Sequence, residues 1–310
     1  MNKKIITAFI ALYAVATIIT TSTVKAQASE AKPSIAILDT ALDTSIPAFQ
    51  GRVIHEVCIL EWASCPNGQK FMEGAGSASL PLSIITKNGF DHGTQMVSAF
   101  VKNNSTANIV FVRIIGNSPQ GSRQIANETT FINALDWVYQ NKERFNIQAV
   151  SMSQSHHNLM PGANYCPNTF STQSRIANFV AAQIPVFFPA GNLRDYKRIS
   201  WPACISESIA VSASTDYDEI PIWSNLDINK TDFHALGIMS VTAPGNRTVN
   251  AVGTSISTQV AAAQWLTIKN AKPTLSYQQL YDLIMKTSKP IIGPRGTSGK
   301  MINLSGALNG

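Results

Sequence analysis

Charge is scarce in this 310-residue sequence: Asp, Glu, Lys and Arg together make up 14%, and aromatic residues 8%. The highly charged, aromatic-poor composition of a disordered chain is therefore excluded, and 45% hydrophobic residues is the share of a globular protein. Internal repeats and low-complexity tracts are absent, which excludes fibrous and collagen-like chains. Basic residues outnumber acidic ones, 24 to 18, but form no stripe, and no local run is longer than two, as at Lys3-Lys4. Nucleic acid is not expected as a partner. Cysteine is limited to Cys58, Cys65, Cys166 and Cys204, with no C-x-x-C pair and no adjacent Cys/His spacing to suggest zinc. Only one long apolar run exists, and it lies at the amino terminus.

That run reads as an export signal. Lys3 and Lys4 supply a positive start, Ile5 to Ile19 an apolar stretch of 15 residues, and Thr20 to Ala26 a small, polar end. Small residues at Val24-Lys25-Ala26 or Ala26-Gln27-Ala28 suit a signal peptidase. A bilayer span needs ~20 apolar residues, so the stretch is too short for an anchor. The expectation is a signal peptide over 1–26, one domain over 27–310, and a secreted or periplasmic protein with no membrane attachment after cleavage. Cleavage after Ala26 leaves 284 residues with 21 basic and 18 acidic, so half of the basic excess belongs to the signal. An oxidising compartment permits disulfides. Cys58 with Cys65 would staple a local loop and Cys166 with Cys204 would tie distant segments; two other pairings are equally open.

Within the mature chain, short apolar runs alternate with helical patterns. Ser34–Leu38, Asn108–Ile115, Ile147–Met152, Ile184–Phe188, Ser208–Ala213 and Ile238–Ala243 have the continuous apolar character of strands buried on both faces. Glu128–Arg144, Thr172–Gln183, Ser257–Lys269 and Tyr277–Lys286 carry helix-period stripes. Such alternation predicts a three-layer α/β fold: a mostly parallel sheet with helices on both faces.

Parallel sheets place functional groups at the carboxyl ends of their strands. Asp39 closes the first run. His92 stands in Asp91-His92-Gly93-Thr94, before a helical stretch. Asn192 follows Pro189-Ala190-Gly191 after Ile184–Phe188, and Ser255 lies in Gly253-Thr254-Ser255 at the start of the Ala-rich helix. Taken singly, each is equally at home as a turn or cap residue. Together they set an acid, an imidazole, an amide and a hydroxyl in one order. Asp–His–Ser is the order of subtilisin-type peptidases, distinct from the chymotrypsin and α/β-hydrolase orders. The motifs "IAILDTALD", "DHGT", "PAGN" and "GTSIS" make the chain resemble the subtilase family over about Ala31 to Asn270.

The resemblance implies a subtilisin-like fold and an exported serine endopeptidase acting on peptide or protein substrates as a monomer, with no required cofactor. Ser255 would be the nucleophile, His92 its base, Asp39 the group that orients His92, and Asn192 the oxyanion donor. Backbone of Ser153, Gln154 and Ser155 would pair with substrate, and Pro189, Ala190 and Gly191 would wall the pocket before the scissile bond. Several positions depart from the family pattern. No prosegment fits between Ala26 and Asp39. Ser155 and His156 replace glycines, with side chains able to narrow the cleft. Gln259 stands where the family usually has proline, and Ala41 where it has glycine. Ala48 lies near a common calcium-ligand position, so structural calcium is possible but unsupported. His55 and His234 have no evident partner; His156, His157, Arg194, Lys197 and Arg198 are expected in solvated loops. Two other readings remain: a non-catalytic peptide- or partner-binding domain, and a serine esterase, which the lack of G-x-S-x-G at Ser255 disfavours.

Overall fold

The computed structural model describes residues 32–87, 89–117, 127–156, 166 and 170–310. The expected signal peptide and His157 lie outside the described residues.

The amino-terminal half builds strands β1 (Ser34–Asp39), β2 (Val53–Ile59), β3 (Phe71–Glu73), β4 (Asn108–Arg113) and β5 (Ile147–Met152). Helices α1 (Leu82–Ile85), α2 (His92–Asn103) and α3 (Glu128–Gln140) lie among them. After α4 (Phe170–Ala181) come β6 (Val186–Pro189), β7 (Ile209–Ser214), β8 (Phe233–Leu236), β9 (Ile238–Ala243) and β10 (Arg247–Val252). The chain ends with α5 (Thr254–Ala271), α6 (Tyr277–Thr287), β11 (Lys289–Ile292), β12 (Ser298–Met301) and α7 (Leu304–Asn309).

Among the described residues ten strands form one sheet in the order β11-β12-β8-β7-β6-β5-β1-β4-β2-β3. From β12 to β2 every pairing is parallel, and only the outermost pairs, β11–β12 and β2–β3, are antiparallel. All six residues of β1 are buried, and their alternation divides them between two cores. Ile35 and Ile37 face α2, α5, α6 and α7, where Phe100, Val260, Trp265 and Ile284 pack. Ala36 and Leu38 face α3 and α4, where Phe131, Leu135, Ile176 and Phe179 pack. The expected three-layer α/β architecture is what the chain adopts.

One expected central strand lies elsewhere. Ile238–Ala243 is β9, which pairs antiparallel with β10 in a separate two-stranded sheet, and several of its residues are exposed. Its apolar residues are shared between a helix-facing side and solvent, so it mimics a buried strand in sequence. β2 went unread because His55 and Glu56 interrupt its apolar pattern; both find partners only in the fold. Glu56 accepts hydrogen bonds from the Gly76 and Ala78 amides. His55 bonds Glu73 at 3.0 Å and stacks on Phe145, so it does have a partner. Two disulfides form, Cys58–Cys65 and Cys166–Cys204, leaving no free cysteine. Among the described residues no helix is long and apolar enough to cross a membrane.

Candidate active site

Asp39 is the last residue of β1 and is fully buried. Its Oδ1 accepts the Thr40 amide at 2.7 Å and stands 2.8 Å from His92 Nδ1. A carboxylate there favours the tautomer with its proton on Nδ1, leaving Nε2 as the base. His92 opens α2, and its side chain is 24% exposed against 0% for Asp39, so the ring is reachable while its partner is sealed from water. Two threonines hold the first turn of α2 against the end of β1. Thr40 Oγ1 accepts the Gly93 amide at 2.8 Å, and Thr94 Oγ1 accepts the Asp43 amide at 3.0 Å. Gly93 is required by contact: a Cβ there would stand 2.6 Å from the Ala41 carbonyl and 2.8 Å from the Phe111 ring. Ala41, in place of the family's glycine, fits as a fully buried core residue.

Ser255 is the second residue of α5, where unpaired amides and the helix dipole favour negative charge. Its hydroxyl donates to the Ser153 carbonyl at 3.1 Å, and Ser153 Oγ returns a bond to the Ser255 carbonyl at 3.0 Å. Gln259, one turn along α5, donates to Ser153 Oγ at 2.9 Å and accepts from Ser151 Oγ at 3.1 Å. The residue that replaces the family's proline therefore clamps the serine helix to β5.

Asn192 follows β6 and is exposed. Its Oδ1 accepts both the Thr254 amide at 2.9 Å and the Thr254 hydroxyl at 3.0 Å. A backbone N–H can only donate, so the oxygen faces Thr254 and the NH₂ group is turned away from it. Gly191, at φ +110°, makes this turn; a Cβ there would come within 2.4 Å of Ser200 Oγ. The Ala190 amide and carbonyl bond Val211 and Ser200, and the Gly191 amide and carbonyl bond Thr254 and Asn225. Pro189, Ala190 and Gly191 are all buried.

The end of β5 joins the two halves of the site. Ser153 touches Ser255, while the side chain of its neighbour Gln154 lies 3.1 Å from both Asp39 Oδ1 and His92 Nδ1. His92 is thus bonded to Asp39 at the carboxyl end of β1, while Ser255 bonds Ser153 just past the carboxyl end of the adjacent strand β5, with Asn192 tied to the start of α5. Among the described residues no group of three or more His, Cys, Asp or Glu could hold a metal.

Residues 30–305 match the family described as Peptidase_S8, subtilase family. The chain belongs to the subtilase family. Its fold is similar to that of a cold adapted subtilisin-like serine proteinase, at 20% identity over 86% of this chain and 87% of that one, with a TM-score of 0.62. It is also similar to a lanthipeptide protease, at 13% identity, 89% and 87% coverage and a TM-score of 0.68. A third likeness is to the prenylagaramide maturation protease PagA, at 15% identity, 90% and 93% coverage and a TM-score of 0.66.

Several groups around this subtilase's site were not anticipated from sequence. The side chain of Gln154, the Thr254 anchor of Asn192 and the Thr40 support of α2 carry no motif of their own. Gln259 was visible only as a departure from proline. The wholly buried Arg113 pairs in register with Asp39 but turns to the Ile115 carbonyl and the Asn117 side chain. Burial pushes its guanidinium down to about 10. His156, expected in a solvated loop, is half-buried, bridges Trp201 and packs edge-on against its ring at 5.2 Å. Arg194 and Lys197 are exposed as expected, while Arg198 is paired with Asp195 at 2.8 Å.

Proposed function

We propose that this subtilase is an exported serine endopeptidase in which Ser255 attacks the scissile carbonyl, His92 moves the proton and Asp39 orients His92. The observation that carries this reading is the 2.8 Å bond from His92 Nδ1 to a sealed Asp39. It holds the imidazole in the tautomer whose Nε2 can accept a proton. A serine hydroxyl is a weak nucleophile and needs such a base. The Ser255 hydroxyl now donates to the Ser153 carbonyl, and must turn from that carbonyl to donate to His92. A substrate backbone amide pairing with Ser153 would compete for the same acceptor, coupling peptide binding to release of the nucleophile. As the tetrahedral oxyanion forms, the Asn192 NH₂ and the Ser255 amide at the helix start would donate to it. His92 then gives its proton to the departing amine, and water repeats the sequence on the acyl-enzyme. All of these groups are side chains or amides of the chain itself.

The Ser153 contact also gives weight to a second reading, a domain that binds peptides without cleaving them, because it occupies the nucleophile's only proton. One experiment separates the two. The folded protein is treated with a fluorophosphonate probe beside a Ser255→Ala control and then given a peptide library. Labelling that depends on Ser255, together with cleavage, is expected; peptide binding without labelling or cleavage would sink the enzyme. Export is proposed on the residue 1–26 pattern and on the two disulfides, and an uncleaved amino terminus in the protein recovered from its source would count against it.

A further inference from the structure

The proposed mechanism gives the side chain of Gln154 no task, yet it touches the two groups on which that mechanism turns. Its Nε2 is 3.1 Å from Asp39 Oδ1 and 3.1 Å from His92 Nδ1, beside the bond between them. An amide nitrogen can only donate. A carboxylate oxygen is the stronger acceptor, and in the tautomer that leaves Nε2 free, His92 Nδ1 already carries a proton. Gln154 therefore donates to Asp39. Three donors, the Thr40 amide, His92 Nδ1 and Gln154 Nε2, converge on this one oxygen. The other, Oδ2, is buried with no hydrogen-bond partner among the described residues. Negative charge on Asp39 is thus stabilised at a single atom shared by His92 and Gln154.

Every hydrogen bond donated to a carboxylate lowers its proton affinity and spends part of the charge that would otherwise stabilise a neighbouring imidazolium. We infer that Gln154 is a positioning residue: by sharing Asp39 Oδ1 it holds the His92 ring against the carboxylate and takes up part of the charge that the ring faces. This rests on the reading of His92 as the base. The other charges around the pair come from several elements and are engaged elsewhere. Asp91, before α2, accepts from Gln95. Asp43, after β1, accepts from the Gly245 amide. Arg113 on β4 turns to Ile115 and Asn117, while Ser153, Thr254 and Ser255 from β5 and α5 are neutral. Replacing Gln154 changes none of these charges.

The test compares the full chain with Gln154→Met, which keeps the shape and loses the donor, and Gln154→Glu, which replaces the donor by an anion. Two readouts are taken: the pH dependence of fluorophosphonate labelling, and NMR titration of the His92 ring in a Ser255→Ala background, which needs no turnover. The acid limb and the titration midpoint should both move to higher pH in Gln154→Met and further in Gln154→Glu. A changed melting temperature with an unmoved midpoint in whichever variant folds would overturn the inference and leave Gln154 a structural residue. If wild type fails to label while the midpoint still follows residue 154, the positioning role stands and the peptidase reading falls. Labelling with a fixed midpoint gives the reverse.

Discussion

Individual atoms decide what the site can do, and the most informative are those that fix orientation. Asn192 is oriented by Thr254, so two substitutions should behave differently. Asn192→Ala removes the donor and should cost ~10²–10³ in kcat with KM little changed, the range known for loss of one such donor in a subtilisin. Thr254→Val removes only the hydroxyl half of the anchor, and steady-state kinetics should show a smaller loss. His92→Ala should lower turnover by roughly 10³-fold or more while circular dichroism stays native; retained activity would place the base elsewhere. Gly191→Ala should act on stability: its φ of +110° and the 2.4 Å approach to Ser200 predict a loss of about 3 kcal/mol in denaturant unfolding. At this scale the sequence was most legible where a motif demands a residue type. Asp39, His92, Asn192 and Ser255 could each be named because each stands where a strand ends or a helix begins. Gln154 could not, since nothing along the chain tells that its side chain, two residues beyond the end of β5 at Met152, turns back to Asp39 and His92.

Among the elements, the bond between β5 and α5 carries the geometry. Ser151, Ser153, Ser255 and Gln259 form a buried polar network linking strand end to helix start. Gln259→Leu would fill similar space but strand the buried Ser151 hydroxyl and remove the donor to Ser153 Oγ. The expected cost is about 2–3 kcal/mol of stability, together with slower labelling of Ser255. A variant that labels like wild type would show that the network supports the fold and not the nucleophile. Disulfides act on loops. Cys58 and Cys65 are 7 residues apart and Cys166 and Cys204 are 38 apart. On chain entropy alone, closing these loops is worth ~2.5 and ~4 kcal/mol. Non-reducing mass spectrometry should find no alkylatable thiol. Elements were readable where one face or both faces are uniformly apolar, as in β1, β4, β5 and α3. They were not where polar residues interrupt the pattern, as in β2, or where a hairpin copies the composition of a core strand, as in β9.

The whole molecule closes through its carboxyl-terminal segment. β12 joins the sheet beside β8 at Met301 and His234, and Gly299 packs directly on the His234 ring. Burial pushes His234 down to about 4 from 6.5, outweighing an opposing pull from the Lys300 backbone. In the unfolded chain it takes up a proton near its ordinary value, so between these two pKa values the unfolded state holds more protons. Stability from this residue is therefore complete above pH ~6.5 and lost as pH falls toward ~4, by about 3 kcal/mol. Urea unfolding across that range should show a flatter profile for His234→Leu than for wild type; parallel profiles would mean the ring is not held neutral. His234 was a lone histidine in the sequence, and only the arrival of a distant glycine makes it a buried one.

The sequence by itself determined the layer architecture and singled out the candidate reactive groups, because buried parallel strands require continuous apolar runs and because the proposed chemistry tolerates only certain side chains at strand ends. Tertiary structure alone decided the disulfide pairing, the partners of His55 and Glu56, the clamp made by Gln259 and the contact of Gln154 with Asp39. Each of these is an agreement between separate segments of the chain, set by distance and direction in space, and none is written in local periodicity.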